Sequence, residues 1–212
     1  MASIEGKVGP VVAADGSNPT MRLSKDASAV TVDGHAKYQE AIIRGNVYSL
    51  TVSGGAATAF TGGAAGAPLI SVYNPVGSGK NLVLLSASIV GRAAASAAGN
   101  VGFNIWGGVS AANTGTLTAP TNMYTLQKSG SVALGSSNAV TTSTTAISAN
   151  GPLLNLVNYY WATAAGAIVN VGTFDIAGMI VVAPGNLVAL GGTAALTSAT
   201  YDVSLLWEET AI

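Results

Sequence analysis

The stretch from Pro68 to Val90 constrains this chain more than any other. It runs Pro-Leu-Ile-Ser-Val-Tyr, then Asn74-Pro75-Val76-Gly77-Ser78-Gly79-Lys80-Asn81, then Leu-Val-Leu-Leu-Ser-Ala-Ser-Ile-Val. Two apolar, β-rich runs flank a punctuated centre. Pro75 fixes its own φ and pushes Asn74 towards an extended conformation. Gly77 and Gly79 can take the positive φ that a reversal needs. The pattern predicts strand, loop, strand, with the loop closing a hairpin that holds two core strands in register.

The Gly-Ser-Gly-Lys tip has the look of half a phosphate-binding loop, but the spacing speaks against one. With four residues between its first Gly and its Gly-Lys pair, the motif would place that Gly at Asn74. The hydroxyl position after the lysine holds Asn81. Leu82 to Val90 reads as strand, so no helix N-terminus would face the phosphates. Lys80 is therefore expected at a surface contact and not beside a nucleotide.

The rest of the chain shows the same two-residue period. Val47 to Val52, Val101 to Trp106, Leu153 to Trp161 and Phe174 to Val182 read as strands. Ala183-Pro184-Gly185-Asn186 fits a type II turn, with Pro second and Gly third, and Leu187 to Leu190 returns from it. Ala199 to Glu208 closes the chain, with Tyr201, Val203, Leu205 and Trp207 on one face and Asp202, Ser204, Leu206 and Glu208 on the other. Ala93 to Asn100 is a small-residue linker, Asn113 to Tyr124 a loop broken by Pro120, and Gln127 to Ala146 has room for one exposed strand. About eight strands with turn signals between them predict an all-β fold, an antiparallel β-sandwich or barrel. The long Gly/Ala/Ser loops suit a two-sheet jelly roll with Greek-key crossovers.

Charge is scarce and unevenly placed. Only 8% of the residues are charged, against roughly a quarter in an average soluble domain. Glu5, Lys7, Asp15, Arg22, Lys25, Asp26, Asp33, Lys37, Glu40 and Arg44 crowd the first part. Lys80, Arg92, Lys128, Asp175, Asp202, Glu208 and Glu209 are all that follow. This divides the chain into a charged N-terminal arm, residues 1–44, and a β-sandwich body, residues 45–212. In the arm, Val11 to Ala14 and Ala29 to Val32 can pair as strands and Asp33-Gly34 can close a tight hairpin. Tyr38 to Arg44 has the residues for one or two helical turns, ended by Gly45.

A net charge of −1 points to no nucleic acid and no anionic membrane as partner. With no cysteine there is neither a disulfide nor a thiolate metal site. No apolar run of signal-peptide type opens the sequence, and none is long enough for a transmembrane helix. A mean hydropathy of +0.48 raises the question of a transmembrane barrel, but aromatic girdles are not visible. Charge keeps monomers apart in solution, so a neutral surface of Ser, Thr, Ala and Gly favours permanent assembly.

Residues able to carry chemistry are few. His35, the one histidine, sits beside the Asp33-Gly34 turn and has no second His or Cys with which to share a metal. Asp33 and Asp175 exist as partners for a hydrolase triad, yet no nucleophile-elbow pattern accompanies them. Glu208 and Glu209 are adjacent in a strand and so point to opposite faces. Asp15-Gly16-Ser17-Asn18 lacks the later acidic ligands of a calcium loop and reads as an Asx turn. No catalytic residue, cofactor or metal ligand is assigned. Tyr159, Tyr160 and Trp161 fit either subunit packing or, if exposed, a carbohydrate platform.

One resemblance spans most of the chain. Tyr38-Gln39-Glu40-Ala41 with Arg44-Gly45-Asn46-Val47-Tyr48, then Asn74 to Leu82, then Ala183 to Asn186, and finally Trp207-Glu208-Glu209 resemble, in that order, tailed-bacteriophage virion proteins of the capsid-cement, or head-decoration, type. That resemblance implies a small jelly roll bound to the outside of a capsid across boundaries between major capsid protein subunits. The expectation is a homo-oligomer, dimer or trimer, whose arm reaches a neighbour. Lys7, Arg22, Lys25, Lys37, Arg44, Lys80, Tyr159, Tyr160 and Trp161 are the expected contact residues. The alternative is a tail-associated or receptor-binding β-domain that recognises a host glycan.

Overall fold

A computed structural model describes residues 37–56, 68–93, 95, 98–109, 117–128, 130–137, 152–161, 170–194 and 198–212. The chain divides into two compact units, residues 1–40 and 41–212. The pairings expected for Val11 to Ala14, Ala29 to Val32 and Asp33-Gly34 fall outside the described residues.

The described residues form a sandwich of two antiparallel sheets. In chain order, helix α1 (Gln39–Ile43) precedes β1 (Val47–Ala56), β2 (Ile70–Tyr73), β3 (Lys80–Ala93), β4 (Gly99–Val109), β5 (Leu117–Thr118) and β6 (Thr121–Asn122). Then come β7 (Leu134–Ser137), β8 (Leu154–Trp161), β9 (Asn170–Val182), β10 (Asn186–Gly192) and β11 (Thr200–Ala211). One sheet has the order β6-β1-β11-β3-β9 and the other β5-β7-β2-β10-β4-β8. Consecutive main strands mostly alternate between the sheets. Only β4 and β8, with three short strands between them in sequence, lie side by side.

This overturns the expected hairpin. β2 pairs with β10 and β7, and β3 pairs with β11 and β9, so they never pair with each other. The loop from Asn74 to Gly79 carries the chain from one sheet to the other. The turn at Ala183–Asn186 forms as its residues dictate: Asn186 N–H donates to Ala183 O at 3.1 Å and Gly185 has φ +82°. It too is a crossing and not a hairpin, because β9 and β10 belong to different sheets.

The two crossings are locked together by Asn74, which is fully buried. Its Nδ2 donates to Lys80 O and to Val182 O, both at 2.8 Å. Its Oδ1 accepts from Ser78 Oγ at 2.7 Å. Its backbone N–H donates to Asn186 O at 2.9 Å, and its carbonyl accepts from Gly185 N–H at 2.7 Å. One side chain thus ties the first residue of β3 to the last of β9. The backbone of the same residue holds β2 beside the start of β10.

The core lies between the sheets, and β11 runs through the middle of one of them. Its neighbours are β1 and β3. The alternation read from the sequence holds: Tyr201, Val203, Leu205 and Trp207 are all buried. Phe103 from the facing sheet meets Tyr201 edge-on at 4.9 Å, and Tyr48 stacks on Trp207 at 6.4 Å. Each such side chain removed from water contributes roughly 1.5–3 kcal/mol. β1 starts cleanly because α1 ends in a Schellman cap. Gly45, at φ +73°, donates to Ile42 O at 2.8 Å, and Asn46 N–H donates to Ala41 O at 3.2 Å.

Asn74→Asp should be strongly destabilising. It replaces the two donors that hold Lys80 O and Val182 O with an acceptor aimed at two carbonyls. The expected loss is about 3–5 kcal/mol, read as a shifted midpoint in urea unfolding with the slope unchanged. A loss under about 1 kcal/mol refutes the lock.

Candidate functional site

Asn46, Asn74, the Ala183–Asn186 turn and Glu209 converge at one end of the sandwich. Asn46 O accepts from Glu209 N–H at 2.8 Å, joining the start of β1 to the end of β11. Glu209 pairs in register with Leu82 of β3, and Leu82 with Val182 of β9. Asn74 and the Ala183–Asn186 turn complete the cluster through the bonds already described.

Glu209 is its one buried charge among the described residues. Lys80 Nζ lies 3.1 Å from Glu209 Oε2 and retains 34% of its side-chain exposure, whereas the glutamate side chain has none. Oε1 accepts from Ser131 Oγ at 2.6 Å and from Val132 N–H at 3.0 Å. An isolated carboxylate could not be buried here, because losing its hydration costs several kcal/mol. Three donors replace that hydration. Every oxygen is occupied, so the arrangement clasps β3, β11 and the segment leading into β7. It offers no free base to a substrate.

Lys80 opens β3 instead of standing at the tip of a hairpin loop, and a third of its side chain stays exposed. Its ammonium turns back onto the body, because a buried counter-ion lies within reach. The alternation on β11 is the signal that points to Glu209: extending the buried series 201, 203, 205, 207 by one step reaches it. Glu208 takes the other face, as expected. The Ser131 and Val132 donors carry no sequence signal.

Lys7, Arg22 and Lys25 lie outside the described residues, as do His35, Asp33 and Asp15. Lys37 is exposed, with Nζ 5.1 Å from the centre of the Tyr38 ring, a cation–π distance. Arg44 is exposed on the turn after α1. Tyr159, Tyr160 and Trp161 sit opposite Val101, Asn100 and Gly99 on β4. Tyr160 is 66% exposed. Among the described residues, no group of three or more His, Cys, Asp or Glu could hold a metal ion.

Compared with known proteins, the chain matches no family model, no curated protein and no solved structure.

Glu209→Ala should cost about 3–4 kcal/mol, because it strands the Val132 N–H and the Lys80 ammonium together. Glu209→Gln keeps an acceptor for Ser131 and Val132 and should cost roughly half as much. At about 2–4 °C per kcal/mol for a chain of this size, thermal melts separate the two variants. Equal melting temperatures for the two variants and the unaltered protein contradict the clasp.

Proposed function

We propose that this chain is a structural virion protein, a homo-oligomeric jelly-roll cement protein that binds the outside of a phage capsid and bridges major capsid protein subunits. The observation that carries the proposal is the outer face of the five-stranded sheet. Across it, Thr51, Ser204, Ser88 and Thr173 stand in one register row, and Ser49, Leu206, Ser86 and Asp175 in the next. Ser88 and Ser204 hydrogen-bond to each other at 2.6 Å. Beside these rows, Met179 and Val181 are 69% and 54% exposed.

Such a face suits burial against another subunit. Short hydroxyl side chains lose little rotamer freedom when covered, unlike the Lys and Glu that coat a typical monomer. Met179 and Val181 supply an apolar centre, and methionine adapts to irregular partner surfaces. The strand order supports the jelly-roll reading. With β5, β6 and β7 set aside, β1-β11-β3-β9 faces β2-β10-β4-β8, the interleaving that a doubly wound Greek key generates. The charged segment 1–44 reaches a neighbouring subunit by added strand pairing and local ion pairs. A partner that binds only the assembled shell raises the shell's stability by mass action.

Two variants test this on capsids of the phage that encodes the chain. Met179→Lys combined with Val181→Lys changes exposed positions and should leave the melting temperature of the free protein within about 2 °C. It should weaken co-sedimentation with capsids at least tenfold. Deleting residues 1–44 should likewise weaken attachment while leaving a folded body. Unaltered capsid binding by both variants, or an antibody label found on tails instead of heads, defeats the proposal.

A further inference from the structure

The outer face of the six-stranded sheet carries a groove of ≈ 370 Å³, lined by Gly102, Asn104, Asn155, Leu156, Val157, Asn158 and Thr193. That volume falls in the range of small-ligand sites, about 300–1,000 Å³. The groove is made by two departures from regular strand geometry. Phe103 pairs with Val157 and Asn104 pairs with Asn155, so Leu156 is an extra residue in β8. This bulge resets the alternation and brings Asn155 and Asn158 to the same groove, although they are three residues apart. Gly102, opposite Asn158, leaves the floor open: a Cβ there would lie 3.0 Å from Thr193 Oγ1.

We propose that this groove binds a neutral carbohydrate. Its polar lining consists of three carboxamides and one hydroxyl, with no charged side chain. A carboxamide offers a donor and an acceptor in one plane, which matches two neighbouring sugar hydroxyls, each of them both donor and acceptor. Among the described residues nothing occupies the carboxamides of Asn104, Asn155 or Asn158. Thr193 Oγ1 already accepts from Gly102 N–H at 2.8 Å, and Thr193 N–H donates to Gly102 O at 2.8 Å. The hydroxyl is therefore fixed in place with its own proton left to donate. Tyr160, exposed and two residues beyond Asn158 on the same strand face, provides a ring face for the apolar C–H face of a sugar. The uncharged lining selects against sialylated and uronic-acid glycans, whose carboxylates would lose hydration without gaining a cation. The site lies on the sheet opposite Met179 and Val181, so its success or failure is independent of shell binding.

The test is a glycan array bearing neutral gluco-, galacto- and manno-oligosaccharides beside sialylated and uronic-acid ones, probed with the full labelled chain. Retention on neutral glycans is expected. The affinity for the best-retained neutral oligosaccharide, measured by calorimetry, should fall at least tenfold in both Asn158→Ala and Tyr160→Ala. Both positions are exposed, so the variants should melt with the unaltered protein. Met179→Lys should bind the sugar normally. Retention on acidic glycans alone, no retention on any neutral glycan, or unchanged affinity in Asn158→Ala would overturn the assignment.

Discussion

A strand that leaves one sheet and enters the other must break its ladder, and the backbone groups released at the break still need partners. At one end of this sandwich two such breaks lie side by side, between β2 and β3 and between β9 and β10. Asn74 satisfies both. Its two Nδ2 protons meet the carbonyls of Lys80 and Val182, while its own amide and carbonyl meet Asn186 and Gly185. Few side chains can do this. Aspartate has no protons to give, serine has one, and glutamine carries its amide one methylene too far for the same carbonyls. An unpaired buried carbonyl costs about 1–3 kcal/mol, so losing this carboxamide would strand two carbonyls where the chain changes sheets.

The Lys80–Glu209 pair works on the same corner by a different rule. Bringing two charges out of water largely cancels their attraction, so the pair's net gain is small. Its effect lies in the cost of breaking it. If β11 slipped by one residue against β3, Glu209 would turn outward and Glu208 inward, and the Ser131 and Val132 donors would face nothing. Register is thereby fixed by charge at the strand end and by Tyr201, Val203, Leu205 and Trp207 along its length.

The strands were legible in the sequence because burial imposes a two-residue period wherever one face meets the core. β1, β4, β9 and β11 announce themselves that way, and the type II turn at Ala183–Asn186 follows from where Pro184 and Gly185 stand. Pairing was not legible. A strand, a glycine-rich loop and a strand look alike whether the strands bond to each other or to partners a hundred residues away, since both arrangements demand the same local backbone. Asn74 offered a clue that turn chemistry masks: asparagine is common in loops for its local Asx bonds, and nothing local shows that its amide reaches Val182. The groove was hidden for a related reason. Asn155 and Asn158 share it only because Leu156 bulges, and that bulge exists only in register with Phe103.

The stiff corner also governs what the five-stranded sheet presents outward. β9 is held at Val182 by Asn74, and Val181 is the residue just before that anchor. A few residues back the strand bulges, with Ala177 at φ +52° and Gly178 at φ +80°. A Cβ on Gly178 would stand 3.2 Å from Val83 Cγ1, so glycine lets the bulge pass close over β3. The bulge interrupts the regular ladder on an outermost strand, which disfavours indiscriminate pairing with other strands. Met179 and Val181 are thus displayed between a fixed anchor and a kink. Apolar side chains placed on an irregular edge can meet a shape-matched partner without inviting edge-to-edge aggregation.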